Sequence, residues 1–235
     1  ALLALAALHL LLCAPLHAQL LRDAPRPATP AGRAAAPASL ARQLRSAPFL
    51  LIGLFVLLMM AVTAALPAHM ISLLREHGLA EAWVIAIPAS IGLIQVLGRA
   101  LLYFFERHFD VHRANRLIPG LIPLGLAALL AAPWAGQGQG ALAGLFVLLY
   151  GLGNGMLTIV KGTAIAQYVS REHVASLNGA LGLPTAAARA RAPLLLGLLW
   201  SREAGYSLGL TLLLGASALA VVALLLAQRS ALLNP

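Results

Sequence analysis

The feature that most constrains the fold of this chain is a succession of long apolar segments separated by short polar stretches. Six such segments follow residue 47, at 48–68, 82–105, 117–134, 141–166, 174–200 and 206–227. A helix of about 20 apolar residues crosses the hydrocarbon core of a bilayer and satisfies its backbone hydrogen bonds internally. We therefore predict an all-α integral membrane protein, a helical bundle with six complete transmembrane helices.

The composition excludes an ordinary soluble protein. The chain is 61% hydrophobic and 10% charged, whereas soluble domains are about 25% charged. Its formal net charge of +9 would suggest nucleic acid as the partner of a soluble protein. Here the basic residues lie in short loops beside apolar segments, where they set the orientation in the membrane. The expected partner is the lipid bilayer, and we expect no nucleic acid.

The first 47 residues have two parts. Residues 1–21 are apolar and begin without Met, and we predict a truncated transmembrane helix that ends a preceding bundle, so that the chain is a fragment. The alternative is a signal-peptide core, because the ending Leu16-His17-Ala18 resembles a cleavage site. Residues 22–47 are rich in Pro and Arg and are predicted to form a basic linker.

The loop charges predict the orientation. On one side of the membrane, the predicted loops contain only two basic residues, Arg75 and Arg202. The positive-inside rule therefore places the linker and the C-terminus on the cytoplasmic side. We predict a multi-pass protein of the cell (inner or plasma) membrane. The ten basic loop residues on the predicted cytoplasmic side are Arg22, Arg26, Arg33, Arg42, Arg45, Arg107, Arg113, Arg116, Arg171 and Arg229.

The six segments form two sets of equal length. Residues 48–134 and 141–227 each contain 87 residues and three predicted helices, and the two sets begin on opposite sides of the membrane. This arrangement predicts a 3+3 inverted repeat. The sequence Arg-Glu-His occurs in the corresponding first loops, at 75–77 and 171–173.

A basic linker followed by six helices with inverted symmetry resembles the C-terminal half of a major facilitator superfamily transporter. Residues 150–155 (YGLGNG) with 158–162 (TIVKG) are similar to the fourth helix of that half, and residues 188–193 (ARARAP) are similar to the fifth. The resemblance implies secondary active transport of a small solute by alternating access between two six-helix halves. It also implies a missing N-terminal half of the same transporter as partner, and neither catalysis nor a cofactor or metal.

The family has a charged signature in the loop after the second helix of each half. In this chain Tyr103 occupies the position of the signature glycine, and Glu106 and Arg107 lie near its acidic position. The resemblance implies gating charges in this region, and the candidates are Arg99, Glu106, Arg107 and Arg113.

Two arginines lie near the middle of the predicted helix at 174–200. A buried arginine in a lone membrane helix is costly, so it normally faces a cavity, a ligand or a partner. At about 100° per residue, Asn178, Thr185 and Arg189 fall within roughly 40° of one another. We predict that they line a substrate cavity, and that Arg191, about 200° from Arg189, packs or reaches the interface.

A second polar stripe lies on the helix at 141–166. Asn154 and Thr158 are its candidate substrate-binding residues, and Tyr150 and Lys161 lie along it. A neighbouring stripe of small residues predicts close approach of another helix. Its members are Gly144, Gly151, Gly155 and Gly162.

The charges within the predicted spans suggest the class of solute. They are Arg99, Lys161, Arg189 and Arg191, all basic, so we expect an organic anion held by Arg189. The alternative is that an acidic residue of the missing half pairs with Arg189. Of the titratable groups that could couple transport to protons, only His9 has a suitable predicted depth.

Two other classes of function remain open. A non-transporting membrane scaffold or sensor with the same fold is compatible with the sequence. An integral-membrane enzyme would need catalytic groups at membrane depth. The sequence contains no HExxH, and its one GxSxG match, at 205–209 (GYSLG), lies where a predicted loop meets a predicted span.

Overall fold

The computed structural model describes residues 2–20, 37–105 and 110–233. These residues are almost entirely helical, and the described ranges contain no β-strand apart from an isolated bridge between Ser201 and Gly205. Among the described residues, five helices are long and apolar enough to cross a membrane. The chain is therefore an all-α, multi-pass membrane protein.

The helices are labelled in chain order. They are α1 (Leu2–Leu8), α2 (Ala14–Leu20), α3 (Pro37–Leu44), α4 (Ala47–Glu76), α5 (Glu81–Phe105), α6 (Val111–Leu117), α7 (Leu121–Ala131), α8 (Gln139–Tyr168), α9 (Val174–Leu198) and α10 (Ser207–Leu233).

The chain divides into two compact units, residues 1–36 and 37–235. In the first unit a π-helical turn, His9–Cys13, joins α1 to α2, and its apolar helix Ala6–Gln19 is shorter than a membrane span. Residues 22–36 of the predicted linker lie outside the described residues. The linker's last part forms α3, which belongs to the second unit and packs Leu40 and Leu44 against its core.

The core of the second unit is built around α4 and α8. Helix α4 packs mainly against α9 and α10, whereas α8 packs mainly against α5 and α7, and α7 also contacts α10. Phe55 and Met59 of α4 and Phe146 and Tyr150 of α8 are fully buried.

The predicted span at 48–68 is part of a longer helix. Ser46 caps α4, since its hydroxyl accepts a hydrogen bond from Phe49 N at 3.4 Å. The helix continues past residue 68 because Met70, Leu73 and Leu74 keep the spacing of a buried helical face. The polar loop predicted at 69–81 is correspondingly short, and His69 lies within the helix.

The predicted span at 174–200 is the one that does not appear among the five apolar helices. It forms the 25-residue helix α9, but Arg189, Arg191 and several small or polar residues make it less apolar than the other five. Six complete transmembrane helices therefore remain a prediction, of which five are confirmed as helices able to span.

The helices of the second unit alternate in direction. At one end, named here the linker end, the C-terminal part of α8 meets α6 through the hydrogen bond from Asn115 Nδ2 to Tyr168 Oη at 3.0 Å. At the opposite end, the side chain of Gln139 at the start of α8 donates to the carbonyl of His77, just after α4. Arg75 and Arg202 lie at the opposite end, and the described arginines of the linker end are Arg42, Arg45, Arg113, Arg116, Arg171 and Arg229.

Close packing of α5 against α8 depends on glycine. A Cβ atom added at Gly155 would overlap the backbone of Gln95, and one at Gly151 would lie 2.8 Å from Ile94 Cγ2. By contrast, a Cβ at Gly144 or Gly162 would meet nothing within 4 Å. The predicted close approach is confirmed at two of the four stripe glycines.

Candidate functional site

Helix α9 carries the predicted cavity-lining residues on a largely uncovered surface. Only Leu177, Ala192 and Leu196 of this helix are buried. Its contacts within the unit are mainly with α4. Most of its circumference is therefore free to meet lipid, water or another bundle.

The predicted stripe on α9 lies on that uncovered surface. Asn178 and Arg189 are exposed and Thr185 is half-exposed. The Asn178 side chain also donates from Nδ2 to Val174 O at 3.0 Å, which ties it to its own helix. Arg191 is exposed as well, and the ion pair found in the described ranges involves neither arginine.

The predicted residues of α8 have different environments. Asn154 is half-buried and Thr158 is exposed, with its hydroxyl donating to Gly155 O at 3.1 Å. Tyr150 is fully buried and stacks on Phe146 with ring centroids 5.4 Å apart. The polar stripe of α8 therefore does not lie on one surface, since burial in the core removes Tyr150 from it.

The candidate residues of α8 and α9 lie on helices that make little contact with each other. Lys161, which the sequence places on the same stripe, is half-buried with its Nζ 3.8 Å from Met60 Sδ of α4.

Two of the four predicted gating charges are described. Arg99 is exposed and donates from Nε to Gly155 O at 3.2 Å, across the contact between α5 and α8. Arg113 is exposed on α6. Glu106 and Arg107 lie outside the described residues.

His69 connects three helices. Its Nε2 lies 2.8 Å from Pro193 O of α9, and its Nδ1 lies 2.9 Å from Tyr206 Oη, next to α10. A carbonyl oxygen only accepts, so Nε2 carries a proton; in the neutral ring Nδ1 then accepts from the tyrosine hydroxyl. The predicted span at 48–68 ends one residue before His69, so the prediction places His69 in a loop. The apolar spacing that continues beyond residue 68 is the signal that could have placed it in α4.

Glu76 holds the loop between α9 and α10. Its carboxylate accepts hydrogen bonds from Trp200 Nε1 and from the backbone nitrogen of Tyr206, the latter at 3.2 Å. Gly205 packs against the same carboxylate with a φ of 53°, a conformation that favours glycine. Glu76 and His69 together join the end of α4 to the start of α10.

The linker end has its own polar cluster. Asn115 of α6 is buried and donates to Gln167 Oε1 at 2.7 Å as well as to Tyr168. Arg116 donates from Nε to Gln228 Oε1 at 3.0 Å. These hydrogen bonds connect α6 to the ends of α8 and α10.

Comparison of the chain with models of protein families, with curated proteins and with solved structures gave no match. The resemblance noted in the sequence therefore stays a hypothesis.

Proposed function

We propose that the chain forms one six-helix half of a secondary transporter of the major facilitator type. The observation that carries this proposal is the pairing of helices in the second unit. If α4, α5 and α7 are exchanged with α8, α9 and α10, the contact of α4 with α9 becomes that of α8 with α5, and the contact of α4 with α10 becomes that of α8 with α7. This reciprocity supports a 3+3 inverted repeat, on which many secondary transporters are built.

The proposed partner is a second six-helix bundle, the N-terminal half of the same transporter. Under the exchange described above, α5 and α9 are equivalent helices, and each packs mainly against one central helix. Much of the surface of α9 is uncovered and carries two arginines. A second bundle placed over these helices would enclose a cavity between the halves, where alternating access moves the solute.

The proposed solute is a small organic anion. Arg189 is exposed on α9, and no described carboxylate pairs with it. A carboxylate accepts two parallel hydrogen bonds from a guanidinium, which holds it in a defined orientation. The competing role for Arg189 is an ion pair with an acidic residue of the companion bundle.

Cysteine labelling tests for a water-filled cavity at α9. In a Cys13→Ser background, Thr185→Cys lies on the Arg189 face, while Leu183→Cys lies about 200° from residue 185. Leu183 is 81% exposed within the unit, so poor labelling at residue 183 would indicate lipid. We expect a water-soluble thiol reagent to modify residue 185 much faster than residue 183 in membranes, and equal rates would count against the cavity.

Uptake measurements separate a carrier from a scaffold or sensor. We expect proteoliposomes that contain both bundles to accumulate one or more of a panel of labelled mono- and dicarboxylates, and residues 1–235 alone to insert without transport.

Arg189→Lys keeps the charge but loses the paired geometry, so a substrate contact predicts weaker apparent affinity at normal expression. Binding without flux would favour a sensor, and unchanged affinity in Arg189→Gln would remove the support for an anion.

A further inference from the structure

A cavity of mixed polarity lies where α5, α6 and α8 meet, towards the linker end. Its volume is about 310 Å³. Its lining includes Arg99 of α5, Asn115 of α6, and Thr163 and Gln167 of α8. This combination places a cation beside amide and hydroxyl groups.

A second cavity adjoins the first and is apolar. It has a volume of about 230 Å³, and Leu121 and Met156 are among its lining residues. Leu102, Ala114 and Ile118 line both cavities. The cavity of mixed polarity and the apolar cavity therefore share a wall.

Arg99 has unused hydrogen-bonding capacity at the cavity of mixed polarity. Its Nε donates to Gly155 O at 3.2 Å, while its two terminal nitrogens bind no described group. The Gln167 side chain accepts from Asn115 through Oε1 at 2.7 Å, which leaves its amide N–H groups without a partner among the described residues. A guanidinium at membrane depth normally finds an anion, a partner or water.

Arg99 lies near the linker end of α5. It lies six residues before Phe105, the last residue of α5, which corresponds to about 9 Å along a helix. Large apolar side chains close to the cavities are exposed, with Tyr103 at 72% and Leu117 at 66%. The site therefore adjoins an apolar outer surface of the unit.

We propose that the two cavities together bind one anionic phospholipid from the leaflet at the linker end. Its phosphate would accept charge-assisted hydrogen bonds from Arg99 and a hydrogen bond from the Gln167 amide. One acyl chain would occupy the apolar cavity. A small soluble anion would leave that apolar cavity unused, and this favours a lipid. The site is distinct from the proposed solute site on α9, and lipid binding there requires only that the chain spans a membrane.

Competition between two lipids with identical acyl chains tests the proposal. The purified chain in detergent is given equal amounts of phosphatidylglycerol and phosphatidylcholine, and native mass spectrometry measures which lipid it retains. We expect at least about fivefold preference for phosphatidylglycerol, the size of effect of one basic residue on anionic lipid. Arg99→Gln should abolish the preference. Arg113→Gln should preserve it, because Arg113 is exposed at the same end and lines neither cavity.

A second variant tests the cavities without touching the charge. Ala114 is half-buried and lines both cavities, so Ala114→Leu should reduce retention of phosphatidylglycerol while Arg99 remains in place. This variant decides the question if Arg99→Gln fails to fold by circular dichroism. The proposal is overturned if the wild-type chain shows no preference, if Arg99→Gln and Arg113→Gln lose it equally, or if Ala114→Leu retains the lipid unchanged.

Discussion

His69 illustrates how one polar side chain near the end of a membrane helix can hold neighbouring helices together. Both ring nitrogens are used, one by the Pro193 carbonyl at 2.8 Å and one by the Tyr206 hydroxyl at 2.9 Å. Tyr206 is only 8% exposed, so its hydroxyl depends on the histidine for a partner. A buried polar group that loses its partner destabilises the fold.

We expect His69→Ala to lower the free energy of unfolding by about 1–3 kcal/mol, because it leaves the Tyr206 hydroxyl unpaired. The measurement is unfolding of the purified chain in mixed micelles, followed by circular dichroism. His77→Ala is the matched control, since among the described residues the His77 ring bonds only to Leu73 O of the adjoining α4, at 2.8 Å. Equal losses in the two variants would show that the bonds between helices contribute nothing beyond a local one.

At the scale of elements, the contact between α5 and α8 is set by how closely two backbones approach. Gly155 faces the backbone of Gln95, and Gly98 of α5 faces the backbone of Leu152, with an added Cβ only 3.1 Å from Leu152 O. Glycines thus stand on both sides of the contact. Small residues at such contacts allow the van der Waals packing that holds membrane helices together.

We expect Gly155→Ala to destabilise the chain by about 1–3 kcal/mol, the usual cost of overpacking a tight contact. The obstacle is the backbone of Gln95, which cannot rotate away as a side chain end can. Gly162→Ala on the same helix is the control, because its Cβ would meet nothing within 4 Å. It should be neutral or stabilising by up to about 1 kcal/mol, since Ala favours helix over Gly.

The same unfolding assay compares the two glycine variants. A Gly155→Ala protein as stable as Gly162→Ala would mean that α5 and α8 can separate at no cost, and that their close approach does not stabilise the fold.

At the scale of the whole molecule, the asymmetry of charge follows the two ends of the bundle. Six described arginines lie at the linker end and two at the opposite end. Exposed loop charges of this kind orient a multi-pass protein with its basic end in the cytoplasm. The helices alternate in direction, so one measurement at each end tests the orientation of the whole unit.

We expect Ser201→Cys, in a Cys13→Ser background, to react with a membrane-impermeant maleimide added outside intact cells. Glu172→Cys should react only after the cells are opened. Both positions are exposed and lie at opposite ends of the bundle. Labelling of residue 172 in intact cells would reverse the predicted orientation.

The class of fold and the positions of the long helices follow from the amino-acid sequence alone. The information is local: a run of about 20 apolar residues can satisfy its backbone in lipid only as a helix. The predicted span at 82–105, for example, lies entirely within α5 (Glu81–Phe105). The same local reasoning identified Gly151 and Gly155 as contact residues. The proposed transport of an anion through Arg189 still awaits the measurements described above.

Which polar side chains meet depends on how distant helices pack, so it emerges in the three-dimensional structure. The sequence placed Tyr150 on the same stripe as Asn154, but burial between α7 and α8 removes Tyr150 from any surface. The contacts of His69 join residues 124 and 137 positions apart in the chain. Helical periodicity specifies the face on which a residue lies but not the helix that covers that face, because the covering helix is selected by packing among distant segments.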